Sequence, residues 1–108
     1  MTFVILTSKP GQYETQMVEG LVSAESYEYK FYERTLARFD IVRLVEDVRI
    51  KIVDAQDPTQ VNFVPSKFLE KFVSIEDACA ALRTLVKTDS KHVYLVPVYR
   101  TEHRLIST

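Results

Sequence analysis

The stretch SYEYKFYERTLARFDI, residues 26–41, interleaves aromatic with charged residues and contains neither glycine nor proline. Read as two strands, it poses one question: which alternate residues face the core. A two-residue turn at Glu33-Arg34 would put Glu28 and Lys30 inside, where an unpaired charge is costly. A three-residue loop, Glu33-Arg34-Thr35, instead pairs Phe31 with Ala37, Tyr29 with Phe39 and Tyr27 with Ile41. A slip of one residue exchanges the two faces, so the pattern selects the odd-length loop. The aromatics Tyr27, Tyr29 and Phe31 then belong to a core beside Phe39, rather than to an exposed platform for stacking bases.

Working outward, VRLVEDVRIKIVD (42–54) continues the alternation, and Glu46-Asp47 reads as a tight turn that places Val45 opposite Val48, Arg43 opposite Ile50 and Ile41 opposite Ile52. Three strands, 25–32, 36–45 and 48–54, are thus expected to form an antiparallel meander. Its core face carries Ala37, Phe39, Ile41, Val45, Val48, Ile50 and Ile52. TFVILT (2–7) reads as a strand, and residues 8–22, with Pro10-Gly11 and Gly20, as a long N-terminal loop. VNFV (61–64) gives a short strand, and KFLEKF (67–72) one or two helical turns. Ser74, with Asp77 at the third helical position, caps a helix over 75–87. Its apolar stripe is Ile75, Ala78, Cys79, Leu82, Leu85 and Val86. HVYLVPVYR (92–100) is the last strand, and Pro97 within it, having no amide donor, points to a sheet edge or a bulge. Residues 101–108 are expected to trail as a flexible tail. The expectation is a single α+β domain over 1–108: a mainly antiparallel sheet, the meander plus N- and C-terminal strands, with one main helix on one face.

Composition narrows the function. Fourteen basic and fifteen acidic residues give a formal charge of -1, whereas nucleic-acid binders draw most of their affinity from a basic excess. Two glycines leave no material for a phosphate cradle or a dinucleotide fingerprint, and no cofactor is implied. The apolar run after Met1 is too short for a signal peptide or a membrane span, so a cytoplasmic protein is expected. A lone cysteine excludes an internal disulfide.

Few residues suggest chemistry. Cys79 lies on the apolar stripe, where a thiol acts as a small hydrophobe. His92 and His103 are the only histidines and form no metal-ligand spacing, so no metal is expected. Arg43 is the one charge that the register puts on the core face. With Tyr94 and His92 it is the candidate set for a small anionic ligand, or for a cofactor-independent enzyme, in a pocket between sheet and helix. The opposite face gathers Tyr32, Leu36, Val42 and Leu44 among Arg38 and Lys51, a mixture typical of an association surface. The reading that follows is a small non-catalytic binding module acting through that outer face, as a homodimer or with an acidic protein partner.

Overall fold

The computed structural model describes residues 1–86 and 93–98. It is an α+β fold of seven strands in two antiparallel sheets with one main helix. The first sheet contains β1 (Phe3–Ser8), β4 (Arg34–Leu44), β3 (Leu21–Phe31) and β7 (Val93–Pro97), in that order. The second contains β2 (Tyr13–Gln16), β5 (Arg49–Asp54) and β6 (Val61–Pro65), in that order. A 3-10 turn, Ser66–Phe68, follows β6, and α1 spans Ile75–Leu85. No described helix is long and apolar enough to cross a membrane.

The β3–β4 hairpin keeps the predicted faces of Tyr27, Tyr29, Ala37, Phe39 and Ile41 by a different route and with different partners. Phe31, expected in the core opposite Ala37, instead stands at the hairpin end and is exposed. The turn is two residues long, Tyr32-Glu33, with Phe31 opposite Arg34. Left uncorrected, that even turn would mix the faces. A bulge at Leu36 restores them, so that Tyr29 meets Ala37 and Tyr27 meets Phe39. A second bulge at Ala24 brings Leu21 opposite Leu44. The aromatic face packs on α1: Ala37 and Phe39 against Leu82 and Val86, and Phe3 and Ile41 against Ala78. Ser74 caps α1 as its sequence indicates, its hydroxyl accepting from the Asp77 amide at 3.0 Å. Leu85, placed on the stripe by periodicity, is 66% exposed, because the helix ends there and Val86 turns in instead. β7 pairs only with β3, so Pro97 sits on an edge strand.

The third strand of the meander is a correction. β5 does not pair with β4; it crosses to the second sheet and lies between β2 and β6. Glu46-Asp47 lacks the glycine that a two-residue hairpin turn favours, and the neighbouring backbone is already engaged. The Val45 amide bonds to the Gly20 carbonyl, and Val48 exchanges bonds with Ser66 at 2.8 and 3.0 Å. Val45 is accordingly exposed, not core. The 8–22 loop is a correction too. A tight turn over 9–12 leads into β2, which Thr15 ties back to β1 through bonds to Ser8 and Thr7. The alternation of Tyr13 and Thr15 is too brief to announce a strand. The tail at 101–108 lies outside the described residues.

The consequence is a second core. Val4, Leu6, Leu21 and Val42 of the first sheet pack against Ile50 of the second, with Val64, Val48 and Leu69 around them. The first sheet is therefore covered on both faces, by a helix and by its own second sheet.

Candidate functional site

Strand length determines what the second sheet leaves open. β3 and β4 have eleven residues each and β5 six, or roughly 36 Å against 20 Å at 3.3 Å per residue. The apolar half of the inner face, Val4, Leu6 and Val42, lies under the second sheet. Its continuation along β3 and β4, Asp40, Arg38, Ser26 and Glu28, is polar and reaches beyond that cover. A groove of about 930 Å³ runs over this polar half, with Glu28, Thr35, Arg38 and Asp40 on one side, Tyr13 to Met17 on the other, and Asp54 and Pro58 at one end.

Three of the charged residues that line the groove, Glu28, Arg38 and Asp40, are paired. Asp40 accepts from the Ser26 hydroxyl at 2.5 Å and from Arg38 Nε at 3.2 Å, while Lys30 stands 3.8 Å from Glu28. Arg38 is the more exposed of its pair, so that ion pair adds little stability and mainly orients the guanidinium. Beyond the groove the hairpin tip carries an aromatic corner. Phe31, Tyr32, Leu36 and Tyr94 are all exposed there. Phe31 and Tyr32 meet edge to face with ring centroids 4.7 Å apart, and the Tyr94 hydroxyl donates to the Tyr32 carbonyl at 2.7 Å. Tyr32 has φ 55°, a left-handed conformation that an aromatic residue adopts only at a cost.

The six residues predicted as one association surface thus fall into three groups. Tyr32, Leu36 and Arg38 share the hairpin end. Val42 is fully buried and Leu44 half-buried in the core between the sheets, which removes both from any outer surface. Lys51 lies on the outer side of the second sheet, opposite Gln16 and Phe63. The ligand set does not assemble between sheet and helix either. Arg43 is half-buried near the end of β4 and lines neither of the two described cavities. Tyr94 belongs to the aromatic corner, and His92 lies outside the described residues.

One polar cluster had no signal in the sequence. Tyr27 donates to Glu25 Oε1 at 2.6 Å, and Cys79 Sγ lies 3.6 Å from the Tyr27 hydroxyl and 3.5 Å from the same carboxylate oxygen. The bond to Glu25, reinforced by burial, pushes the Tyr27 hydroxyl well above the usual tyrosine range. Burial pushes the Cys79 thiol up as well. At neutral pH both groups stay protonated, so the cluster joins α1 to β3 rather than supplying a nucleophile. Among the described residues, no three His, Cys, Asp or Glu side chains group as metal ligands.

Together these features define a two-sheet α+β domain with a mixed-charge groove and an exposed aromatic corner at the hairpin tip. The chain matches no family model, no curated protein and no solved structure.

Proposed function

We propose that this protein is a small non-catalytic binding module whose working surface is the β3–β4 hairpin end, and that it pairs there with a second copy of itself. The observation that carries the reading is the exposed quartet Phe31, Tyr32, Leu36 and Tyr94, fixed by the Tyr94–Tyr32 bond at a strained turn. Aromatic residues on a rigid frame lose little entropy on contact and are enriched where proteins meet. Backbone strain at such a position agrees with a binding role, since the fold tolerates it in order to present Tyr32 outward.

A second copy suits the surface better than a uniformly acidic partner. Lys30, Arg34 and Arg38 stand beside Glu28, Glu33 and Asp40, so both signs are present. A two-fold arrangement can set each against its opposite. The test is sedimentation at micromolar concentration in low and moderate salt. A dimer is expected, dissociated by Tyr32→Glu or Leu36→Glu with no loss of thermal stability, because both side chains are exposed. A wild-type monomer throughout the concentration range would reject the homodimer. Dissociation accompanied by unfolding would reject the placement of the surface.

A further inference from the structure

A second cavity lies away from the hairpin end, at the outer edge of β1. Backbone bonds alternate along this strand. The Leu44 amide donates to the Thr2 carbonyl at 2.7 Å, so Thr2, Val4, Leu6 and Ser8 point toward β4, and Phe3, Ile5 and Thr7 point outward. Phe3 uses its outward pair on Phe72, through two bonds of 2.8 Å. The Thr7 carbonyl accepts from the Thr15 hydroxyl. Between these two closures stands Ile5, and among the described residues no protein group bonds to its outward N–H and C=O.

That backbone pair faces a slot of about 270 Å³ walled by Leu6, Tyr13, Ile50, Ile52, Val64 and Leu69. Ile5 and Leu6 project to opposite faces of the sheet yet both line the slot, which places it along the strand edge itself. Ile5 is half-buried, so this donor and acceptor stand at an open apolar slot that a ligand can enter. Ligand sites commonly combine apolar walls with a few convergent polar groups. The volume is just below the range for drug-sized ligands, which begins at roughly 300 Å³.

Both ends limit the occupant. An added strand would need several consecutive residues, but Phe72 occupies the edge at Phe3 and Thr15 occupies it at Thr7. Only one residue's length remains, and an outward antiparallel pair is matched by one N–H and one C=O from a single amino-acid unit. We propose that the slot binds one apolar amino-acid unit carrying an amide on each side. Its N–H donates to the Ile5 carbonyl, its C=O accepts from the Ile5 amide, and its side chain fills the space toward Ile50 and Ile52. The source is either a free N-acylated amino-acid amide or the last residue of a capped peptide. The two share this chemistry.

The test uses the unmodified protein, amide resonances, and three probes: N-acetyl-L-leucinamide, 4-methyl-1-pentanol, and acetyl-alanyl-alanyl-leucinamide. The first should shift the Ile5 amide saturably, at the millimolar affinity that so small a ligand reaches. The alcohol, with a comparable apolar body and no amide, should bind about tenfold or more weakly, as the loss of two ordinary hydrogen bonds implies. The tripeptide, extended only before its leucine, distinguishes the sources: binding weaker than the single unit assigns the slot to the free amide, and equal binding to a peptide end. Ile52→Phe, checked for an unchanged fold by its amide spectrum, should abolish the shift by filling the slot. No saturable shift at Ile5 in the wild-type protein would overturn the proposal. Equal affinity for alcohol and amide would overturn it too, since the backbone pair would then play no part.

Discussion

Ile50→Ala tests whether the two sheets share one core. Ile50 is 2% exposed and packs from the second sheet against Val4, Leu6 and Val42 of the first. The substitution removes three carbons, which at about 0.8 kcal/mol each set a floor near 2.4 kcal/mol. The cavity left behind raises the cost toward the upper end of about 2–5 kcal/mol seen for such truncations, because walls of Val4 and Val42, both at zero exposure, leave little room to collapse. Against a total stability of about 5–15 kcal/mol, that is a large share. Urea unfolding, followed in parallel by far-UV circular dichroism and by tyrosine fluorescence (the chain has no tryptophan), supplies the measurement. The midpoint should fall strongly with the two signals still coincident. An unchanged midpoint, or two separate transitions, would mean that the second sheet is an appendage and that the core between the sheets does not exist.

Gly20→Ala should cost more than Gly11→Ala in the same melts. Both glycines have positive φ, worth about 1–2 kcal/mol of strain for another residue, but a Cβ on Gly20 would lie 2.5 Å from Val48 Cγ1 while one on Gly11 meets nothing within 4 Å; equal costs would refute the close approach. Deleting Leu36 should preserve a well-dispersed amide spectrum, because without the extra residue the pair Lys30–Thr35 leads directly to Tyr29–Ala37 and every later pair is kept, and a collapsed spectrum would refute that. Cys79 should react slowly with a thiol reagent in native protein and quickly in denaturant; rapid native labelling would reopen the case for a nucleophile. Stability should also decline at alkaline pH. The native Tyr27 and Cys79 values both lie above the ordinary 10.0 and 9.0. Their contribution is therefore complete below those ordinary values and is lost as pH rises through the raised native ones. Tyr27→Phe should make that decline shallower, and an unaltered slope would count against the cluster.

Much of the architecture follows from local pattern. The i, i+3, i+4 spacing from Ile75 and the Ser74 cap specify α1, and Pro97 marks β7 as an edge. The alternation from Tyr27 to Ile41 specifies the helix-facing side of the hairpin. That inference survives although the loop length behind it differs, since a two-residue turn plus one bulged residue has the same parity as a three-residue loop. Parity is fixed by the cost of burying Glu28 and Lys30; absolute register depends on how the chain reverses, which Tyr32 settles by entering the left-handed region. No pattern announces a positive φ at a tyrosine. The site is less legible, because its key positions depend on contacts distant in sequence. Ser66 anchors Val48, Thr15 closes the edge beside Ile5, and Glu25 meets Cys79 of the helix.

The sorting of Tyr32, Leu36, Val42 and Leu44 shows what an apolar face can and cannot reveal. The accumulation of apolar residues on the second side of β4 correctly signals burial, and Val42 is as buried as any residue in the chain. It does not say what does the burying. Once residues 13–16 are recognised as a strand, β5 has a partner other than β4, and a second sheet becomes available to cover Val42 from within the same chain. Length then divides the face: six-residue β5 cannot reach the far end of eleven-residue β4. Tyr32 and Leu36 remain outside on that account, not through their own hydrophobicity. The residues to suspect as a binding surface are therefore those at the hairpin end, beyond the reach of the covering sheet.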